Sequence, residues 1–386
     1  MKQVRFGIIG VGNMGGAHAR TLAGGKIDGA VLAAVADIVP DRIAKIRGEL
    51  PETVRYFDSA EAMMDSGAID AVLVAVPHYE HPRLAMAGLA RGLHVLVEKP
   101  AGVYTAQVRE MNKAALGHPE LKFGIMFNNR TNPVYIRMHD MVAAGELGEI
   151  KRTSWIITDW YRSQSYYDSG SWRATWKGEG GGVLLNQCPH NLDLWQWIVG
   201  MMPSRIRAFC HEGKWHDIEV EDDVTAYVEY PNGATGTFVT TTADTPGTNR
   251  FEITGDRGKL VAEEGRLVFH RLAVPEREWN ATYKGGFGQP AVERIEIDTS
   301  GDFPNHAGIL RDFTRAVITG DPLWAPGIEG IRSLEISNAM HLSSWLDKTV
   351  ELPVDEACYF ELLQEKIAAS AEKSGADATL DLKGSF

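Results

Sequence analysis

The sequence predicts two folded units in succession. An N-terminal doubly wound α/β (Rossmann-type) domain with a parallel sheet is followed by an α+β domain built on an open antiparallel sheet flanked by helices. Three observations carry this prediction. Residues 4–15, VRFGIIGVGNMG, run from an apolar strand into a glycine cluster. Up to residue 128, apolar runs of strand length alternate with helical periodicities, the order that builds parallel sheets. Beyond that point β-type runs follow one another with hairpin turns between them. The expected boundaries are 1–128, 129–350 and a C-terminal helical extension over 351–386.

Val4, Phe6, Ile8 and Ile9 form a buried strand that enters a tight turn. The turn, Gly10-Val11-Gly12-Asn13-Met14-Gly15, fits G-x-G-x-x-G without mismatch. Gly10 permits the sharp turn, Gly12 lets a pyrophosphate approach bare backbone, and Gly15 lets the next helix pack closely on the strand. That helix, over 14–23, points its first N–H groups and positive dipole end, beside Asn13 and Met14, at the phosphates. A second apolar run over 31–36 ends at Asp37, about 20 residues past the last glycine. An acid there accepts hydrogen bonds from the adenosine ribose hydroxyls and repels a 2′-phosphate, so the cofactor read is NAD and not NADP. The plainer alternative is a structural turn and a solvated aspartate.

The remaining elements follow in order. A helix over 40–50 is spaced by Ile43, Ile46 and Leu50; a short strand over 54–57 and a helix over 60–66 behind the N-cap Ser59 come next. The continuous apolar run 71–76 reads as a central parallel strand, stopped at Pro77-His78. A helix over 80–91, a buried strand over 94–97, a helix over 105–116 and a sixth strand over 123–127 complete the sheet. A helix over 133–144 leads into β-type runs at 151–157, 205–209, 225–230, 235–242, 251–254, 259–262, 267–270 and 293–297. Pro231-Asn232-Gly233 and Gly255-Asp256-Arg257-Gly258 are hairpin signals. Helices over 307–319, 328–346 and 359–374 close the chain.

Composition excludes several classes. A hydrophobic fraction of 44% and a charged fraction of 23% are those of a soluble globular protein. A formal charge of -12 counts against nucleic-acid and anionic-membrane partners. Cys188, Cys210 and Cys358 are scattered and suggest neither a disulfide framework nor a CxxC site. His78 with His81, and His211 with His216, lack a third and fourth ligand, so no metal is expected. No run has transmembrane length, and no basic segment with an apolar core precedes the first strand. The expectation is a cytoplasmic enzyme acting on a small molecule.

In such a sheet ligands bind beyond the carboxyl ends of the strands. Those ends carry the glycine turn, Asp37, Pro77, His78, His81, Glu98, Lys99, Pro100, Asn128, Asn129 and Arg130. Lys99 follows a buried strand; beside a cationic ring it is pushed towards its neutral form and can shuttle a proton or polarise an oxygen. A surface ammonium is the alternative. In the segment GGGVLLNQCPHNLD, a helix would place Asn186 and His190 four apart on one face. Histidine is the usual proton acceptor near neutral pH, yet a lone histidine is often structural, and both readings stay open. Trp155, Trp160, Trp172, Trp176, Trp195 and Trp197 cluster with Tyr161, Tyr166, Tyr167, Arg162 and Arg173. Aromatic faces beside polar donors suit a sugar ring; core packing accounts for some of them, Trp195 and Trp197 in particular.

Taken together, GVGNMG, Asp37, VPHYEHPRLAMAGLARGLHVLVEKP and WRATWKGEGGGVLLNQCPHNLDLW resemble the Gfo/Idh/MocA oxidoreductases over nearly all of residues 4–350. The resemblance implies NAD(P)-linked oxidation or reduction of a sugar, cyclitol or related polyol. It places Lys99 and His190 on either side of the reacting carbinol, and His81 and Glu98 around the nicotinamide ribose. Trp172 and Arg173 fall near nicotinamide and substrate. The substrate set it suggests is Lys99, Arg130, Trp160, Tyr161, Arg162, Trp172, Arg173, Asn186 and His190; Pro77, His78 and Asn128 join the cofactor set. Oligomerisation as a homodimer or homotetramer, through the exposed face of the antiparallel sheet, is implied as well. One departure matters: the family commonly has an aspartate where this chain has Asn186, and an amide cannot take a proton. The tail after Asp355 also exceeds what the family needs. Two other functions fit the same residues: glycoside cleavage by transient oxidation, and non-catalytic sensing of NAD and sugar.

Overall fold

The computed structural model describes residues 3–371 and 373. Six strands, β1 (Val4–Ile9), β2 (Ala30–Ala36), β3 (Arg55–Phe57), β4 (Ala71–Val74), β5 (His94–Val97) and β6 (Phe123–Ile125), form a parallel sheet in the order β3-β2-β1-β4-β5-β6. The helices between them are α1 (Asn13–Ala23), α2 (Pro40–Arg47), α3 (Ala60–Asp65), α4 (His81–Ala90) and α5 (Thr105–Leu116). Every residue of β4 is buried, as a central strand covered on both faces requires. Ser59 caps α3 through its hydroxyl, which accepts from Ala62 N at 3.0 Å. The chain reverses its lateral progress between β1 and β4, which opens a crevice at their carboxyl ends. A single 3-10 turn, His78–Glu80, precedes α4, so the helix expected over 80–91 begins one residue later, at His81.

After α6 (Pro133–Ala143) the chain enters the second sheet at β7 (Ile150–Ile157). The short helix α7 (Gln164–Tyr167) and α8 (Pro189–Val199) lie in the excursion before β8 (Arg205–Glu212). Then come β9 (Glu221–Glu229), β10 (Thr235–Thr241), β11 (Asn249–Gly255), β12 (Gly258–Glu263), β13 (Arg266–Leu272), α9 (Glu276–Thr282) and β14 (Val292–Ile297). The helices α10 (Asn305–Thr319) and α11 (Gly330–Trp345), a two-residue strand β15 (Val350–Glu351) and α12 (Glu356–Ala369) follow. The nine-stranded sheet runs β14-β13-β12-β11-β7-β10-β9-β8-β15.

This sheet is mixed, which corrects the all-antiparallel expectation: β7 and β10 are parallel, with Phe238 opposite Trp155. The reason is topological. β10 and β11 are consecutive and run in opposite directions, and β7 lies between them, so it must be parallel to one. The expected hairpins at Asn232-Gly233 and Asp256-Arg257 are both present. The inner face packs Trp155 against Phe251 in a stack at 4.3 Å, and Trp195 against Phe238 at 5.3 Å. Trp195 is core, as the sequence suggested; Trp197 is half-buried and stacks on His139.

The C-terminal helices return to the first sheet. Phe313 of α10 meets Phe6 of β1 at 6.0 Å, and Ile125 N bonds the Ala325 carbonyl at 3.1 Å. α12 is capped by Asp355 and docks by stacking Tyr359 on Trp345. It ends at Ala369, where Ser370 turns extended, so it stops short of the expected end at Ser374, a residue that itself lies outside the described residues. No helix among the described residues is long and apolar enough to cross a membrane.

Candidate active site

At the mouth of the crevice the glycine turn makes a bare backbone cradle. Gly10 has φ +85, and a Cβ at Gly15 would run into the Gly10 carbonyl oxygen. A Cβ at Gly12, by contrast, would meet open space, so the backbone there is accessible from outside the chain. Gly12 caps α1, and the N–H groups of Asn13 and Met14 open that helix. Asp37 is buried at the end of β2, and its two oxygens accept from Val11 N at 2.8 Å and Val39 N at 2.9 Å. A carboxylate has about four acceptor positions, so two stay available for ribose hydroxyls. Arg42 stands 3.8 Å from the same carboxylate. The buried Asn128 gives its amide N–H groups to Asn129 and Asn305 and leaves its Oδ1 without a partner. An open backbone cradle, a helix start with no side-chain cap and an orphaned acceptor fit a dinucleotide.

Deeper in, Lys99 follows β5 and its Nζ donates to the Asn186 main-chain carbonyl at 2.8 Å. Burial lowers the Lys99 ammonium from its usual range, with Glu98 and Glu179 pulling the other way. His190 opens α8 and is buried, with Nδ1 lacking any hydrogen-bond partner. Burial, reinforced by Lys99 and His306, pushes its pKa well down, so the ring is neutral and keeps a lone pair on one nitrogen. The structure thus brings Lys99, Asn186 and His190 to one place. It does so differently from the helical reading: Asn186 lies in the turn before Pro189, where α8 begins. A proline at the first helical turn sets that start. The buried Glu221 places the turn, accepting from Gly182 N and Leu184 N and facing His341 at 3.0 Å. Burial would raise the Glu221 pKa, but His341 and the two N–H groups outweigh it and hold the group below the usual range.

The aromatic arm covers the other side. Trp172 lies edge-on to His78 at 5.9 Å, and the Arg173 guanidinium sits over both Trp172 and Tyr166 while donating to the Tyr166 hydroxyl at 2.8 Å. Arg162 lies over Trp160 and Tyr166, and Trp160 Nε1 donates to Asn191 Oδ1 at 3.1 Å. Tyr161 is exposed. His78, next to Pro77, is buried with Nδ1 at 3.1 Å from the Glu179 carbonyl.

Three residues that the sequence placed at the ligands turn their polar groups to partners inside the protein. Arg130 is 1% exposed, forks onto Asp193 at 2.8 and 2.7 Å and reaches Glu329 at 2.6 Å. The fork onto Asp193 ties the turn after β6 to α8, while Nη1 also donates to the Trp324 carbonyl at 3.3 Å. His81 has both ring nitrogens 2.7 Å from main-chain carbonyls, of Pro100 and Val76, so it pins two loops together and offers no nitrogen to a ribose. Glu98 turns inward, binding His18 at 2.6 Å and Lys99 N at 3.1 Å. Burial would raise its pKa, yet the His18 contact holds it down to about 2.

The residue that sequence reasoning missed is Glu179. It is 2% exposed, accepts from Ala174 N at 2.6 Å and from the Asn186 side-chain amide. Its only signal was its place directly before three glycines.

The two halves match known sequence families: residues 4–121 match "Oxidoreductase family, NAD-binding Rossmann fold" and residues 135–261 match "GFO/IDH/MocA C-terminal domain". The inositol 2-dehydrogenase of Rhizobium meliloti is 24% identical over 340 residues, 87% of this chain and 95% of that protein. The levoglucosan dehydrogenase of Pseudarthrobacter phenanthrenivorans is 25% identical, covering 92% of this chain and 99% of that protein. The rhizopine catabolism protein MocA of Rhizobium meliloti is 29% identical, but the match spans only 61% of its length. Among solved structures, the WlbA dehydrogenase of Chromobacterium violaceum in complex with NADH and UDP-GlcNAcA superposes with a TM-score of 0.79 at 26% identity, covering 92% of this chain and 97% of that one. With its NAD-binding domain and its partner sheet both matched, the chain belongs to the Gfo/Idh/MocA family of oxidoreductases.

Proposed function

We propose that this enzyme oxidises a secondary alcohol carbon of a sugar, sugar derivative or cyclitol, with His190 as base and Lys99 as electrostatic partner. When bound, the nicotinamide accepts the hydride released by the substrate carbon. The observation that carries the reading is His190 itself: a buried, neutral imidazole with an unpartnered ring nitrogen, beside a lysine held by Asn186. His190 takes the hydroxyl proton, and Lys99 steadies the negative charge that develops on the oxygen. Residues 1–128 hold the cofactor, and the arm bearing Trp160, Tyr161, Arg162, Trp172 and Arg173 closes over the sugar. The names of the relatives, inositol 2-dehydrogenase and levoglucosan dehydrogenase, support the substrate class. Ile156, Phe209 and Tyr227, exposed on the outer sheet face, support a homodimer or homotetramer.

The test is NADH absorbance with the full chain and NAD across monosaccharides, inositols and aryl glycosides. Growth with one polyol supports the dehydrogenase. Aglycone release without net NADH moves the assignment to redox-cycling glycoside cleavage, and silence with every compound overturns both.

A further inference from the structure

Asn186 stands where an acid is common in the family, and the structure shows a buried acid one contact away. The Glu179 carboxylate is fixed at both oxygens: one accepts from the Ala174 main-chain N–H at 2.6 Å, the other from the Asn186 side-chain Nδ2. Its own main chain is tied down as well, Glu179 N bonding the Thr175 carbonyl at 2.9 Å and its carbonyl facing His78. An ionised carboxylate only accepts, whereas an amide has one donor end and one acceptor end. With its donor end on Glu179, Asn186 presents Oδ1 on the opposite side of the amide. The main chain of the same residue is held independently, because its carbonyl carries Lys99 Nζ. Asn186 is therefore oriented from both ends within a few ångströms of the lysine that faces the reacting oxygen.

We propose that Glu179 is the positioning carboxylate of this active site: it locks the Asn186 amide so that Oδ1 accepts a hydrogen bond from a substrate hydroxyl next to the one being oxidised. The inference rests on the dehydrogenase reading for the substrate's part and on geometry alone for the lock. It adds a specificity: the substrate carries a free hydroxyl donor adjacent to the reacting carbon. A site built to accept that hydroxyl discriminates against analogues lacking it.

Burial raises the Glu179 pKa, while Arg173, Ala174 N and Asn186 oppose the rise; Glu221 adds to it. The charged groups that Lys99 feels are Glu98 and Glu179 on one side, Arg162 and Arg173 on the other. Glu179 is thus the counter-charge shared by Lys99 and Arg173.

Glu179→Gln is a clean probe, because a glutamine can satisfy the same neighbours only by reversing Asn186. Its Oε1 takes the Ala174 N–H and its Nε2 donates to Asn186 Oδ1, which turns the asparagine NH2 towards the substrate. The first measurement needs no substrate. In the 15N-labelled full chain, the Asn186 side-chain NH2 pair is assigned by its loss in Asn186→Asp. In wild type the pair is shifted downfield and protected from solvent exchange; in Glu179→Gln it moves to the exposed range and exchanges fast. An unchanged pair overturns the proposal, whatever the substrate tests give. Should Glu179→Gln fail to fold, Glu179→Asp, drawn back by one methylene, is read in the same way, with a partial shift expected.

The second measurement uses the polyol found by the absorbance panel. Glu179→Gln lowers kcat/KM about tenfold or more, the effect of losing a hydrogen bond to the substrate, with NADH affinity within about twofold of wild type. In an Asn186→Ala background the same substitution costs less than about twofold more. Additive losses overturn the proposal, since they mean that Glu179 does not act through Asn186. If wild type oxidises nothing in the panel, the dehydrogenase reading fails while the NMR result still decides the lock.

Discussion

The two ends of the crevice are built by opposite means. At the cofactor end the chain offers backbone: a turn of three glycines, the start of α1, and one aspartate with an oxygen that accepts from Val11 N in that turn. At the substrate end it offers side chains delivered by four separate segments: Lys99 after β5, the aromatic arm, the turn at 179–188 and His190 on α8. Main-chain N–H groups have a fixed character at any pH, so the first end needs only shape. The second end holds ionisable groups whose protonation depends on what the tertiary structure places beside them: burial lowers Lys99 and His190 and raises Glu179. Binding by backbone is local and robust, whereas chemistry by side chains is non-local and tunable.

Substitutions that separate the ends sharpen this contrast. The largest effect is expected at the substrate end. His190→Ala and Lys99→Ala each lower kcat by about 10²–10⁴, typical of a lost proton acceptor or charge stabiliser. NADH binding, followed by fluorescence, stays near wild type; a variant that keeps normal turnover removes that residue from the chemistry. Next comes the buried ion pair between the two ends. Arg130→Ala leaves Asp193 uncompensated and costs about 3–5 kcal/mol of stability, read from denaturant unfolding. Its kcat per folded molecule should be close to wild type; a selective rise in KM would return Arg130 to the substrate set.

A smaller effect belongs to the cofactor end. Asp37→Asn weakens NADH binding by about tenfold, the scale of a charge-assisted hydrogen bond, and narrows the preference over NADPH. Unaltered discrimination would move cofactor choice to another group. The smallest is a pH effect on stability. The folded Glu98 carboxyl titrates at about 2, below its ordinary 4.5, so its contribution is complete above the ordinary value and drains away as pH falls towards 2. Glu98→Gln should therefore flatten the acid limb of a stability–pH curve. An equally steep limb would assign acid lability to other carboxyls.

The contrast also explains what could be read early. The strand ending at Ile9, the glycine turn, the helix behind it and Asp37 are contiguous, and each position has one physical demand, so pattern alone found them. Lys99 and His190 were legible as chemistry-bearing types at strand and helix ends. The inward partners of Arg130 and His81 were not legible, because a polar residue at a strand's carboxyl end looks the same whether it faces a ligand or a buried partner such as Asp193 or the Pro100 carbonyl. The mixed sheet escaped because no local signal says that β7 slides between β10 and β11.

The sequence by itself determined the alternation of elements, the cofactor cradle, the acid at the ribose position and the presence of Lys99 and His190 as chemistry-bearing types at element ends. These follow from periodicity, glycine geometry and side-chain chemistry, all of which act over a few residues. Only the tertiary structure decided which charges are neighbours. Glu179 and Asn186 are seven positions apart and joined by a turn, Lys99 reaches Asn186 across 87 positions, and Arg130 finds Asp193 across 63. Contact at such separations is set by how two sheets and their connecting loops pack, and through-space proximity, not order along the chain, fixes where a proton resides.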